Sequence, residues 1–435
     1  MVGSLLFIKK RVRIDNNMSK FIIQGGKKLK GDIEVPGFKN AATPIIAATL
    51  LTKDECIINN VPQINDVRKM VEILESLGAS ARWSGDHALT ISCKEANIGS
   101  IDQAKVKSMR SSVLLLGPLL ARFQKVDIFE PGGCIIGKRP LDTHFKALEA
   151  LGVKVDINGE EIHLTVDKIK GATIVLPEFS VTATENAILA AVLADGKTII
   201  KMAAAEPHVQ DLCNFLNKMG AKIFGQGTHE IEIEGVAELH GTEHAVIPDQ
   251  IEIGTWAVAA AATGGEVNIH PVVPEHLDML MLKFDEIGVK AEVKGDVLKI
   301  KPSSDLKCFK LQSLPYPGFP TDLESAFGVL ATQCTGTSLI HDPLYEGRMG
   351  YVNELIKMGA NATICDPHRV LITGPTPLYG RDIRGYDLRA GAALIIAGLI
   401  AEGETIIREA DVVDRGYENI DERLRSIGAK IERVE

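Results

Sequence analysis

Six segments of the chain read as helices that are apolar on nearly every side: AATPIIAATLL, SSVLLLGPLLA, ATENAILAAVLA, IGTWAVAAAATGG, LESAFGVLATQCTG and AGAALIIAGLIAEG. Helices of this kind belong inside a domain rather than on its surface. Each is followed by a short β-branched run, such as Gly196-Lys-Thr-Ile-Ile or Gly403-Glu-Thr-Ile-Ile, that predicts a strand. A second kind of helix alternates with them and is apolar on one face only. In its first copy Val67, Met70, Val71, Leu74 and Leu77 follow i, i+3, i+4, i+7 spacing, with Asn65 or Asp66 expected as the cap and Gly78 suited to a left-handed C′ position. The same helix–glycine–strand signature recurs at Gly152, Gly220, Gly288, Gly359 and Gly428, with successive gaps of 74, 68, 68, 71 and 69 residues. The chain therefore reads as six copies of one α/β unit. An open solenoid is the plainest arrangement of such repeats. Six all-apolar helices need enclosing, however, and two closed groups of three would enclose them.

Polar residues gather just before the apolar helices. Lys39 and Asn40 precede the first, Arg110 the second, Ser180 to Thr182 the third, Asp249 to Glu252 the fourth, Thr321 and Asp322 the fifth, and Asp387 to Arg389 the sixth. Helix amino termini offer free N–H groups and the positive end of a dipole. If these ends converge, they form an anion-binding cleft.

Composition narrows the possibilities. Hydrophobic residues make up 45% and charged residues 24% of the 435, the profile of a folded soluble chain whose length predicts two or three domains. The net charge of -9 supplies no field to draw nucleic acid or an anionic membrane, so an anionic substrate needs a locally basic pocket. Seven scattered cysteines without a C-x-x-C pair argue against a disulfide framework or a zinc site and for a reducing, cytoplasmic setting. Charges follow the short apolar run Leu5 to Ile8, the reverse of a signal peptide, and Met18 opens a more ordinary start; residues 1–17 are expected to be an extension. Every apolar run is interrupted by Gly, Pro or charge, so no membrane insertion is expected.

The most unusual segment is Pro131-Gly-Gly-Cys-Ile-Ile-Gly-Lys-Arg-Pro140. A glycine-rich, proline-bounded loop exposes Cys134, and Lys138 and Arg139 favour its thiolate. The other cysteines read as small buried hydrophobes. Arg348 and Arg415 fall in turn-like segments before helices, where a solvated or salt-bridged arginine is the ordinary reading; Asp322 is read equally as a helix cap or a catalytic carboxylate. His144 and His208 lack partners at metal spacing, so no metal is assigned, and the absence of G-x-G-x-x-G or a P-loop lysine argues against NAD and ATP; no cofactor is expected.

The sixfold period, with GFKNAA, KSMRSS, GGCIIGKRPLD, FPTD, YEGR, DLRA and DRGYE in that order, resembles the enolpyruvyl transferases, and among them the branch whose acceptor is UDP-N-acetylglucosamine. The likeness runs from about Met18 to Glu435, and the cysteine loop is its most specific part. It implies two inside-out α/β domains, each of three units around central buried helices. One would comprise residues 1–39 and 249–435, the other residues 40–248 with the loop 131–140. It implies transfer of the carboxyvinyl group of phosphoenolpyruvate to the sugar 3′-hydroxyl with release of phosphate, the first committed step of peptidoglycan synthesis, and hence roles in cell shape and division and sensitivity to fosfomycin. Cys134 would be the acid at carbon, and Asp322 would accept the hydroxyl proton or orient the sugar, with Lys39 and Arg415 also in the catalytic set. Lys39, Arg139 and Arg415, with Asn40, would hold the donor phosphate, and Arg348 and Arg389 its carboxylate. Arg110, Arg139, Pro140, Leu141, Asp142, Thr143, Ser180, Val181, Asp322 and Leu344 would hold the UDP-sugar. Cations divided between two domains would repel one another until substrate closed the cleft over itself.

Two positions depart from the resemblance. Before the third apolar helix the family carries a lysine and Ser-Val-Gly, where this chain has Glu178 and Ser180-Val-Thr182, which puts nucleotide affinity in question. Gln250 stands where the family often has arginine and is read as a change at a domain contact. The cysteine loop argues against the shikimate-phosphate branch of the same fold, and retention of acid, carboxylate and cations argues against a non-catalytic nucleotide-sugar binder.

Overall fold

The computed structural model describes residues 19–133, 137 and 139–435. Cys134, on which the sequence reading leans most, and the amino-terminal extension lie outside the described residues.

The one-faced helices end as the spacing predicts. Gly78, Gly152, Gly220, Gly288, Gly359 and Gly428 all have φ between +89° and +103°. Only glycine adopts this left-handed turn without strain, so the period of the glycines is the period of the fold. The first of these helices, Asn65–Ser76, departs from expectation at its start: Ile64 occupies the cap position, and neither Asn65 nor Asp66 caps the backbone. The reason for Asp66 appears in the cleft.

Each unit contributes a sheet. In the third unit Lys197–Lys201, Glu230–Glu234 and Lys222–Phe224 pair antiparallel, and Thr173–Val175 adds a parallel edge strand. Five sheets have this four-stranded form, and the sixth, built on Lys125–Phe129, has three strands among the described residues. The sheets fall into two sets, with no strand pairing between them among the described residues. One set uses strands within residues 55–245, and its last strand, Glu243–Ala245, returns to pair with its first, Glu55–Asn59. The other uses residues 20–34 and 266–434: Lys20–Gln24 is inserted between Glu404–Arg408 and Lys430–Val434, and Lys30–Glu34 pairs with Glu266–His270. Each set is thus closed on itself.

The apolar helices fill the two interiors. Lys39–Ala48, the turn-and-helix Arg110–Leu115 and Leu116–Phe123, and Val181–Ala191 pack together in one set; Gln250–Ala262, Glu324–Ala331 and Leu388–Ile400 pack together in the other. Small residues permit close approach: a Cβ on Gly117 would stand 2.5 Å from the carbonyl oxygen of Asn186, whose side chain bonds the Gly117 amide at 2.8 Å. Burying apolar surface at about 25 cal/mol per Å² rewards such enclosure. The chain passes between the sets at two adjacent places, where Phe38 N donates to Ile247 O (2.8 Å) and Asp249 N to Pro36 O (3.1 Å). No helix among the described residues is long and apolar enough to cross a membrane.

Candidate active site

Both sets present the amino ends of their central helices to one cleft, a cavity of about 500 Å³. Lys39 and Asn40, Arg110, Ser180 and Val181, Gln250, Asp322 and Arg389 reach it from the starts of the six helices in turn. Asp249, Asp387 and Ser180 cap three of those helices with their own side chains, which fixes the ends that face the cavity.

The cations Lys39, Arg110, Arg139, Arg348, Arg389 and Arg415 all line this one space, in a chain whose net charge is -9. Pro140, Ser180, Val181, Asp322 and Leu344 line it too. Leu141, Asp142 and Thr143 are not among the lining residues: Leu141 is buried, Asp142 is exposed, and buried Thr143 donates to Glu178 (2.9 Å). Gln250, expected at a domain contact, is part of the cavity wall.

Mutual repulsion among the cations, expected from their number, is partly offset by two carboxylates that together contact four of the six. Asp322 receives Arg348 Nη2 at 2.7 Å and Arg389 Nε at 3.0 Å. Burial alone would raise its pKa, but Arg389, Arg348 and Lys39 together hold it well below the usual carboxylate range. Its side chain caps no helix, contrary to one of the two readings of this residue. Asp66 receives Lys39 Nζ at 2.8 Å and the Arg415 guanidinium at 3.0 and 3.3 Å. Here too burial opposes ionisation, and Lys39 and Arg415 prevail and lower the pKa.

The remaining arginines are held differently. Arg110 donates to the carbonyl oxygens of Pro131 and Arg139, and burial and Arg139 lower its pKa to about 10. The Tyr345 ring lies between Arg139 and Arg348, 6.0 and 5.2 Å from their guanidinium carbons. Arg348 Nε and Arg389 Nη1 are buried donors without a hydrogen-bond partner among the described residues. A buried guanidinium N–H without a partner is costly, and these two arginines carry that cost beside the cavity.

Sequence reasoning missed Asp66, Glu185, Glu206 and His208, all of which line the cavity. Burial pushes Glu185 and Glu206 upward and His208 down to about 4. Glu185 had a signal: it is an acid inside the otherwise apolar ATENAILAA.

Two closed α/β sets around a polycationic cleft define a carboxyvinyl transferase fold, and the family model for EPSP synthase (3-phosphoshikimate 1-carboxyvinyltransferase) matches residues 23–424. Among solved structures the chain superposes on the enolpyruvyl transferase NikO from Streptomyces tendae with a TM-score of 0.88, at 24% identity over 96% of this chain and 99% of that one. The chain belongs to the UDP-N-acetylglucosamine 1-carboxyvinyltransferase family. A member from Treponema denticola is 44% identical over 423 residues, spanning 95% of this chain and 99% of its own. One from Koribacter versatilis is 43% identical over 420 residues, spanning 96% and 97%.

Proposed function

We propose that the chain transfers the carboxyvinyl group of phosphoenolpyruvate to the 3′-hydroxyl of UDP-N-acetylglucosamine and releases phosphate, in the cytoplasm, as the first committed step of peptidoglycan synthesis. The observation that carries this reading is the convergence of Lys39, Arg139, Arg348, Arg389 and Arg415 on one cavity of an acidic chain whose relatives, at 44% identity, bear that name. A donor with a phosphate and a carboxylate needs several cations at once, and arginine forks suit both groups.

In this reading Lys39, Asn40, Arg139 and Arg415 take the phosphate, and Arg348 and Arg389 the carboxylate. Arg110, Arg139, Pro140, Ser180, Val181 and Leu344 hold the nucleotide sugar, and Leu141 to Thr143, which do not line the cavity, support them from behind. The division of the chain into residues 1–39 with 249–435, and 40–248, is part of the same proposal. In the addition step Cys134 gives its proton to the donor's methylene carbon while the sugar oxygen bonds to the neighbouring carbon and passes its own proton to Asp322. The product is a tetrahedral ketal. Elimination then returns a proton from the new methyl group to the Cys134 thiolate, restores the double bond and expels phosphate. With its carboxylate held ionised by Arg348 and Arg389, Asp322 is first an orienting acceptor for the hydroxyl. Its basicity rises only when the donor anion draws those arginines away.

A phosphate-release assay tests this. Phosphate should appear with phosphoenolpyruvate and UDP-N-acetylglucosamine together and with neither alone. Release with shikimate 3-phosphate in place of the UDP-sugar would transfer the chain to the other branch of the fold.

A further inference from the structure

Helix Asn65–Ser76 begins with two good capping residues and uses neither. The Asp66 side chain is only 3% exposed and spends both oxygens on cations of the cleft: Oδ2 lies 2.8 Å from Lys39 Nζ, and the two oxygens receive Arg415 through Nε and Nη2. These partners come from different places. Lys39 starts the first central helix, at the passage between the two sets, and Arg415 ends the short turn Ala410–Arg415 that follows the last central helix and its strand. A second contact binds the same neighbourhoods: Gln63 N donates to Glu418 Oε2 at 2.8 Å, and His87 Nε2 is 3.1 Å from Glu418 Oε1.

We infer that Asp66 is a positioning residue for the donor: its carboxylate aims the Lys39 ammonium and the Arg415 guanidinium, across the junction of the two sets, at the phosphoryl group. This rests on the functional reading above. Asp66 needs no contact with substrate. It fixes two donors on flexible stems, which would otherwise lose side-chain entropy on each binding event. The opposite role, a carboxylate that competes with phosphate for the same cations, predicts the opposite sign in the test below.

The test compares the full chain with its Asp66→Asn and Asp66→Glu variants in donor KM, acceptor KM, kcat and inhibition by inorganic phosphate, after thermal unfolding has checked that each is folded. Asp66→Asn should raise the donor KM and the phosphate inhibition constant together, on the order of 10–100-fold, by analogy with the loss of a partner that orients a metal-binding side chain. The acceptor KM should stay unchanged, because among the described residues the ion-pair partners of Asp66 are Lys39 and Arg415 and not Arg110 or Arg139. Asp66→Glu, which restores the charge, should recover part of the loss. A donor KM that is unchanged or lower in Asp66→Asn, or donor and acceptor constants that rise together, would overturn the inference. If the parent chain shows no turnover, the functional reading fails by itself. Calorimetric titration with inorganic phosphate still decides the role of Asp66: weaker binding in Asp66→Asn supports it, and equal binding refutes it.

Discussion

Arg348 donates through Nη2 to Oδ1 of Asp322 at 2.7 Å, and Arg389 donates to the other oxygen of the same carboxylate at 3.0 Å. One carboxylate therefore holds both arginines assigned to the donor's carboxyl group. Replacing Asp322 with Asn keeps the shape and removes the charge that orients and, later, accepts. Steady-state kinetics should show kcat reduced on the order of 10²–10⁴-fold, the range for a lost general acid–base group. The pKa of Asp322 is depressed, so it is ionised throughout the neutral range. The residual activity of Asp322→Asn should therefore keep the wild-type pH profile between about 5 and 9.

Cys134 stands between Gly133 and Ile135 in the glycine-rich loop of the sequence. If its thiol is the acid at carbon, it is also the nucleophile that an epoxide such as fosfomycin alkylates. Mass spectrometry should find the adduct on the wild-type chain and none on Cys134→Ser. Adduct formation on the serine variant would remove Cys134 from the site.

Glu178 puts a negative charge on the wall assigned to the nucleotide, where it accepts from Thr143 at 2.9 Å. A UDP-sugar brings two further negative charges. Glu178→Lys should lower the acceptor KM by about 10- to 100-fold, the value of one hydrogen bond between charged groups, with donor KM unchanged. The gain should shrink at high salt because Glu178 is exposed.

Glu324 is fully buried at the start of the fifth central helix. It accepts from Tyr351 OH at 2.7 Å, and burial raises its pKa to about 8. Its folded pKa lies above the unfolded value near 4.5, so its contribution to stability is complete below about pH 4.5 and is lost as pH rises through 8. Glu324→Gln mimics the protonated form. Its stability should gain on the wild type as pH rises from 5.5 to 8.5, by about 3 kcal/mol for the part of the shift that this window spans. A pH-independent difference would show that Glu324 is already ionised when folded.

The sequence made the repeat legible because one residue type enforces it: six glycines at positive φ recur where six helices stop. It also named the cations, since Lys39, Arg139, Arg348, Arg389 and Arg415 lie in short distinctive segments. It did not reveal what neutralises them. Asp66 reads locally as an ordinary helix cap, and only the return of the chain to bring Arg415 beside it shows otherwise. Glu206 and His208 are hidden for a similar reason, since their place in the cavity depends on the packing of one set against the other. The strand exchange that inserts Lys20–Gln24 beside Lys430–Val434 is likewise invisible, because a strand's alternation specifies a face and not a partner.

The most direct measurement is a crystal structure of the chain with phosphoenolpyruvate and UDP-N-acetylglucosamine bound. The account predicts the donor phosphate against Lys39, Arg139 and Arg415 and its carboxylate on Arg348 and Arg389, with the sugar hydroxyl beside Asp322. A donor bound elsewhere, with Asp322 still holding both arginines, would contradict it.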